Sequence, residues 1–161
     1  MVADYLPIPL ILYYPFLAFV LLAIALATIP RHGIKRLFLE SLSWGFLLSF
    51  IFVASMTGLG FFRYRYAGPF TALGSPIWLN LAWSPTIMAY LYFKPEMKQT
   101  IRFLLYLLSF GLLSAFLDTV LNKLGLLLYY RWSPVARFFV SLAWFYAAAS
   151  VHERYMVRDH E

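Results

Sequence analysis

The sequence predicts an all-α fold, a five-helix transmembrane bundle formed by a single domain that covers residues 1–161. Hydrophobic residues make up 63% of the chain and charged residues only 12%, whereas soluble domains carry about 25% charged residues. A soluble protein of this length could not bury so much apolar surface, because small domains keep a large part of their surface wet. The apolar residues also form long runs separated by short polar segments, which is typical of membrane helices.

Five apolar segments approach the length that crosses the hydrocarbon core, which is about 20 helical residues. Pro30 ends the first segment, and the polar sequence KPEMK follows the third. The third and fifth segments are short, so their ends are defined only approximately. The predicted spans are residues 6–29, 37–62, 77–93, 103–121 and 135–151.

The distribution of Lys and Arg predicts the orientation, because the cytoplasmic loops of membrane proteins carry an excess of both. Eight of them lie in PRHGIKR, KPEMKQTIR and the C-terminal tail, and five lie in the segments of the opposite side. We therefore expect the N-terminus outside and the C-terminus in the cytoplasm. The eight are Arg31, Lys35, Arg36, Lys94, Lys98, Arg102, Arg154 and Arg158, and the five are Arg63, Arg65, Lys123, Arg131 and Arg137.

The polar inventory excludes several classes of chemistry. The net charge of +6 is explained by topology and by anionic lipid headgroups, so we expect no nucleic acid partner. The absence of cysteine excludes thiol nucleophiles, disulfides and iron–sulfur sites. His32, His152 and His160 are all expected on the cytoplasmic side, and His152 and Glu153 do not have the spacing of metal ligands. No phosphate loop, nucleophile elbow or zinc signature occurs, so we expect no metal and no cofactor.

Two acidic residues lie inside or near predicted spans. Glu40 is expected in the first turn of the second span, where a carboxylate complements the helix dipole. Asp118 lies on a stripe of small and polar residues that recur at three- and four-residue spacing, as on one face of a helix. Buried interfaces between membrane helices use such stripes, so Asp118 should face protein rather than lipid. The stripe consists of Gly111, Ser114, Asp118, Asn122 and Gly125.

Other spans carry polar side chains at the predicted depth of Asp118, which lies about 24 Å along the helix from Arg102. Arg137 is the natural counter-ion, because an isolated charge in hydrocarbon costs at least about 2.5–3.5 kcal/mol. The predicted cluster comprises Asp118, Asn122, Arg137 and Asn80, with Ser84 and Ser141 one turn further in. The cluster fits a buried ion pair between helices, a ligand or proton site, or an aspartate that reaches water at the interface.

The predicted outer loops, FFRYRYAGPF and LLYYRWSP, are both aromatic and basic. Tyr and Trp favour the headgroup level of a membrane, so these loops fit a plain aromatic belt with arginines that extend to the surface. They equally fit a mouth where Arg63, Arg65 and Arg131 attract an anionic amphiphile.

The stretch from SPTIMAYLYFKPEMKQ through FLDTVLNKLGLLLYYRWSP resembles an uncharacterised family of small multi-spanning membrane proteins from spore-forming Bacilli and Clostridia. The resemblance covers roughly residues 74–155, and its more specific part is an acidic residue followed by KLGLLLYYRW. It implies a multi-pass protein of the cell membrane, and it brings no established activity.

The segments LNLAWSP and SPVARFFVSLAWFY look like pieces of the tryptophan-rich sensory, or translocator, protein family, which has five spans and binds porphyrins and sterols. This resemblance implies that Asn80, Trp83 and Trp144 line a pocket for a flat apolar ligand. The chain departs from the family between the first two spans, where IPRHGIKR replaces the expected Trp- and Pro-rich segment.

Three functional hypotheses follow for this membrane protein. In the leading one it is not an enzyme, and it binds or senses a lipid-like amphiphile. Asp118 and Arg137 would organise the site, while Asn80 and Asn122 would supply hydrogen bonds. Alternatively, it is a membrane-embedded enzyme acting on an isoprenoid or lipid, with Asp118 as general acid. A close Arg137 would favour the ionised carboxylate and weaken that alternative. The third hypothesis is a structural subunit of a membrane complex or homo-oligomer.

Overall fold

The computed structural model describes residues 9–158, and this part of the chain is mostly helical, which confirms the all-α prediction. The predicted start of the first span, together with Asp4 and His160, lies outside the described residues. One 3₁₀ turn (Leu10–Leu12) precedes the five helices: α1 (Tyr13–Thr28), α2 (Arg31–Gly58), α3 (Ile77–Phe93), α4 (Thr100–Lys123) and α5 (Pro134–Arg158). Four short strands accompany them: β1 (Phe62–Tyr64), β2 (Thr71–Ala72), β3 (Ser75–Pro76) and β4 (Leu127–Tyr129).

Four helical stretches are long and apolar enough to cross a membrane: Leu10–Thr28, Arg31–Gly58, Thr100–Lys123 and Pro134–Tyr155. They correspond to the first, second, fourth and fifth predicted spans. The third predicted span is α3, which has only 17 residues and is not among these four stretches.

The boundary between α1 and α2 is a correction to the predicted spans. Pro30 ends α1 as expected, but α2 begins at Arg31 rather than at residue 37. The fixed φ of a proline suits the position before a helix, and Lys and Arg are good helix formers. The basic segment predicted as a loop therefore forms the first turns of α2. Glu40 consequently lies in the third turn of the helix and not in the first, so it does not cap the helix dipole.

A stripe of buried residues on α2 recurs at every fourth position. A regular α-helix has 3.6 residues per turn, so such a stripe would drift around the helix. Residues Leu42–Leu47 form a π-helical segment, whose wider turn offsets this drift. The stripe consists of Gly33, Leu37, Ser41, Gly45, Ser49 and Val53. Its small residues allow a close approach, and a Cβ on Gly45 would collide with the backbone of Trp83 and Ser84 in α3.

Helix α3 is the centre of the bundle. It packs against α1 and α2, and more lightly against α5, while α4 and α5 pack closely together. Ten of its 17 residues are buried, among them Asn80, Ser84 and Tyr90. Because the other helices cover it, α3 tolerates polar residues that a lipid-facing helix would not.

The four strands lie together at one end of the bundle, which we call the strand end. β1 and β4 pair antiparallel, with Phe62 opposite Tyr129 and Tyr64 opposite Leu127. β2 and β3 form a separate two-stranded hairpin. The hydroxyl of Tyr14, at the start of α1, lies 2.8 Å from the carbonyl oxygen of Leu126 and ties α1 to this end. The two aromatic loops are therefore neighbours, as expected for two loops that were predicted on the same side of the bundle.

Candidate functional site

A buried ion pair joins α4 to α5. Arg137 Nε lies 3.7 Å from Asp118 Oδ1, and their side chains are only 10% and 5% exposed. Trp132, in the segment between β4 and α5, donates from Nε1 to Asp118 Oδ2 over 3.2 Å. The predicted contact between Asp118 and Arg137 is confirmed, and Asp118 faces protein. The sequence analysis did not predict that Trp132 belongs to this site, because the residues around Trp132 indicate only an aromatic belt.

Arg137 also contacts Ser114 on α4 and Trp83 on α3. Its Nε donates to Ser114 Oγ over 2.9 Å, and Ser141 donates to the same oxygen over 2.8 Å. The guanidinium carbon lies 5.0 Å from the centre of the Trp83 ring, which is a cation–π distance. Ser141 therefore joins the cluster as predicted. Ser84 does not, since its buried hydroxyl has no partner among the described residues.

The two asparagines do not join this cluster, contrary to the prediction. Asn80 Nδ2 donates to Ser75 Oγ over 2.6 Å and to the Pro76 carbonyl over 2.8 Å. Its side chain therefore reaches back to β3 and holds the chain just before α3 in place. Asn122 Nδ2 donates to the Leu127 carbonyl over 2.8 Å and closes the turn between α4 and β4. Each amide therefore donates a hydrogen bond to a backbone carbonyl next to a helix end, where such carbonyls lack a partner within the helix.

An open pocket of about 520 Å³ lies at the strand end. Arg63 and Arg65 both line it, as the predicted mouth requires. Arg65 Nη2 lies 3.2 Å from the hydroxyl of Tyr66, and its guanidinium carbon lies 4.9 Å from the centre of that ring. The other lining residues are Thr57, Tyr64, Ala67, Gly68, Thr71, Gly74, Leu128 and Tyr130. Arg131 is not among them, although its side chain is exposed.

The backbone of the pocket wall is strained at Tyr66. Its φ is 57°, in the left-handed region that residues other than Gly seldom adopt. Such strained residues cluster at ligand-binding sites, where the surrounding structure holds them in place. The strain therefore supports the interpretation of the pocket as a binding site.

Tyr64 and Tyr129 carry phenols that stay neutral at physiological pH. Burial raises the pKa of Tyr64 well above its usual value, and the nearby Asp118 carboxylate adds to this effect. Burial also raises the pKa of Tyr129 to about 12. Near the ion pair and the pocket wall, these hydroxyls therefore act as neutral polar groups and not as charges.

Two further polar side-chain pairs lie at the opposite end of the bundle. His152 Nδ1 on α5 lies 2.7 Å from Glu40 Oε2 on α2. Lys94 Nζ donates to Glu153 Oε1 over 2.8 Å, and the backbone N–H of Met97 reaches the same oxygen over 3.2 Å. The sequence analysis missed both pairs. A signal was present for His152, because it continues the buried stripe of α5 at helical spacing, where a polar residue needs a partner.

Trp83 and Trp144 line one internal cavity, as the second resemblance implied, but Asn80 does not. The cavity lies between α2, α3, α4 and α5 and measures about 30 Å³. Pockets for drug-sized ligands measure about 300–1,000 Å³, so this conformation has no room there for a porphyrin or sterol. The other lining residues are Ser49, Phe52, Val53, Ile87, Ser114, Arg137, Val140, Ser141 and Phe145.

The described residues contain no group of three or more His, Cys, Asp or Glu side chains that could hold a metal ion. No family model, curated protein or solved structure matches the chain significantly. The functional proposal below therefore depends on the contacts of the chain itself.

Proposed function

We propose that this is a membrane protein with five spans that binds an anionic, lipid-like amphiphile at its strand end. Beyond the four candidate spans, α3 has 17 residues and a length of about 26 Å, close to the hydrocarbon thickness of about 30 Å. The outward faces of the other helices are apolar, as lipid contact requires. They expose Phe16 and Phe19 on α1, Ile51 on α2, Leu105 and Phe116 on α4, and Phe139 on α5.

The excess of Lys and Arg at the other end favours an orientation in which the strand end lies outside the cell membrane. Eight of the 13 basic residues belong to the segments of the opposite end. The bilayer interior then covers the helices, and the pocket opens at the outer headgroup level. This position suits a ligand that has a charged head in water and an apolar body in lipid.

The observation that carries the proposal is the pocket with Arg63 and Arg65 in its wall. Its volume of about 520 Å³ lies in the range of small-molecule sites. Two guanidinium groups can bind a phosphate or carboxylate through paired hydrogen bonds. Tyr64, Tyr66 and Tyr130 add neutral rings that suit the boundary between headgroup and hydrocarbon.

The ion pair of Asp118 and Arg137 supports binding rather than catalysis in this proposal. Asp118 accepts a hydrogen bond from Trp132 at Oδ2 and faces Arg137 at Oδ1, so both carboxyl oxygens already have protein partners. A general acid must instead present its proton to a substrate. The ion pair therefore anchors the segment before α5 to α4, next to the strands that form the pocket wall.

The experiment compares lipid retention by native mass spectrometry for two variants with the same loss of charge. The first variant combines Arg63→Gln and Arg65→Gln in the pocket wall. The matched control combines Arg131→Gln and Lys123→Gln, which are exposed at the same end outside the pocket. Each arginine that hydrogen-bonds the anionic head in the pocket contributes about 1 kcal/mol beyond the general surface charge, so the first variant should retain roughly 30-fold less.

The control should retain nearly as much lipid as the unchanged protein. Equal losses in both variants would mean that only the general surface charge matters. Equal retention by all three proteins would mean that the strand end is an aromatic belt. Either result would overturn the proposed binding site.

A further inference from the structure

The two arginines of the pocket at the strand end lie on one face of β1. Phe62 and Tyr64 are buried on the opposite face of this strand, whereas Arg63 is exposed. The pairing continues one residue beyond β1, because the Arg65 N–H donates to the Leu126 carbonyl over 2.8 Å. Alternate residues of a strand share a face at a spacing of about 7 Å, so both guanidinium groups reach the same pocket.

The loop after β1 adds backbone donors to the same wall. Tyr66, Ala67 and Gly68 all line the pocket. The backbone φ is 57° at Tyr66 and 58° at Gly68 but is not positive at Ala67, so its sign alternates along the three residues. This alternation is typical of a nest, in which successive N–H groups turn to one side and bind an anion. Within the described residues, no backbone carbonyl accepts a hydrogen bond from any of these three N–H groups.

The pocket offers hydrogen-bond donors without a negative charge to oppose an anion. In the part of the chain that the structure describes, no Asp, Glu or His lines it. Arg65 donates to the Tyr66 hydroxyl, which leaves the phenol proton free for a ligand. A terminal phosphate carries up to two charges on three acceptor oxygens, whereas a phosphodiester or a carboxylate carries one charge on two. The donor set therefore fits the terminal phosphate better.

We propose that the pocket at the strand end selects a lipid whose head is a terminal phosphate, in a phosphomonoester or diphosphate, over lipids with a phosphodiester or carboxylate head. The selection rests on the proposed function and names the chemical class of the head that binds there. Arg63 and Arg65 bind phosphate oxygens through paired hydrogen bonds, and the nest of residues 66–68 binds the remaining oxygen. The extra oxygen and charge add at least one charge-assisted hydrogen bond, which corresponds to about tenfold tighter binding.

The test compares two lipids with the same acyl chains by native mass spectrometry of the full chain in detergent micelles. Phosphatidic acid has a terminal phosphate, and phosphatidylmethanol is its methyl ester with one charge fewer. At about pH 7.5 we expect the protein to retain about tenfold more phosphatidic acid than phosphatidylmethanol. At about pH 5 the preference should fall below about twofold, because a phosphomonoester takes up its second proton at about pH 6.

Two matched glycine variants test the nest. Gly68→Val places a β-branched side chain at a left-handed φ and distorts the nest. Gly60→Val does the same at a φ of 72°, just before β1 and outside the pocket. We expect Gly68→Val to reduce the retention of phosphatidic acid about tenfold, and Gly60→Val to leave it nearly unchanged. Equal losses in the two variants would overturn the role of the nest.

The comparison of the two lipids needs only the unchanged protein, so it does not depend on the folding of any variant. Equal retention of both lipids, or a preference that does not change with pH, would overturn the selection of a terminal phosphate. If Arg63→Gln with Arg65→Gln still lost both lipids in that case, the anion-binding pocket of the proposed function would remain supported. Retention of both lipids by that variant would overturn the pocket as well.

Inorganic diphosphate distinguishes a lipid head from a soluble phosphate compound. At an equal concentration it should displace less than about half of the bound phosphatidic acid, because it lacks the apolar chains. Complete displacement would assign the pocket to a soluble phosphate compound, and it would overturn the lipid part of both proposals.

Discussion

Breaking the ion pair between α4 and α5 should destabilise the protein in a way that depends on which partner is removed. Two charges 3.7 Å apart attract by about 4.5 kcal/mol at an effective dielectric constant of 20. The cost of removing both charges from water offsets much of this attraction. Replacing one partner leaves the other charge buried and unpaired, which costs about 3–5 kcal/mol. Asp118→Asn should be the milder change, because Arg137 keeps Ser114 and Trp83 as partners.

Arg137→Gln should cost more, since Asp118 then keeps only its hydrogen bond from Trp132. The double variant should be about 1–3 kcal/mol less damaged than the sum of the single variants. Unfolding by SDS in mixed micelles, followed by circular dichroism, measures each free energy. Ser109→Ala, exposed on the lipid side of α4, provides a control with little expected effect. Additive losses, within about 0.5 kcal/mol, would show that the two charges do not stabilise each other.

Three further predictions concern helix packing, pH and orientation. Gly45→Ala should cost more than about 1–3 kcal/mol in the same unfolding assay, because its Cβ would meet the backbone of α3, whereas Gly58→Ala has open space and should be neutral. Thermal stability in detergent should fall as the pH rises from 10 through about 12, since burial raises the pKa of Tyr129 to about 12 and that of Tyr64 well above the usual 10.0, so the folded state holds both protons more tightly. Tyr129→Phe should reduce that fall, and an unchanged pH profile would contradict the burial of this phenol. The chain has no cysteine, so an impermeant thiol reagent on intact cells should label Thr71→Cys and not Lys98→Cys; the reverse result would invert the predicted orientation.

The ion pair was predictable from the sequence, but the rest of the cluster was not. Asp118 lies on a helical stripe of small and polar residues, and the cost of a lone charge in hydrocarbon demands a counter-ion at its depth. The depth of a residue in the membrane does not determine which way its side chain points, however. Asn80 lies at the predicted level, yet its amide turns back to Ser75 and Pro76, just before its own helix. A short polar side chain near a helix end bonds to nearby residues of the sequence, because they are the closest partners.

The pairing of Glu40 with His152 was not predictable from either residue alone. The two residues are 112 positions apart, and two of the five helices, α3 and α4, lie between them, so no local pattern relates the two. The shift of α2 to a start at Arg31 had a simpler cause. The predicted start followed hydrophobicity, whereas helix formation continues through the basic residues that follow Pro30.

The amino-acid sequence by itself determined the helical class of this protein, the end of α1 at Pro30 and the burial of Asp118. These features depend on local properties: apolar length, the missing N–H of proline and the spacing of residues on one helix face. Only the tertiary structure decided that Arg63 and Arg65 share a pocket, and that Trp83 and Ser114 meet Arg137 from two other helices. Such sites form where distant segments meet. Their geometry depends on how closely each helix approaches α3, and small residues such as Gly45 set that distance.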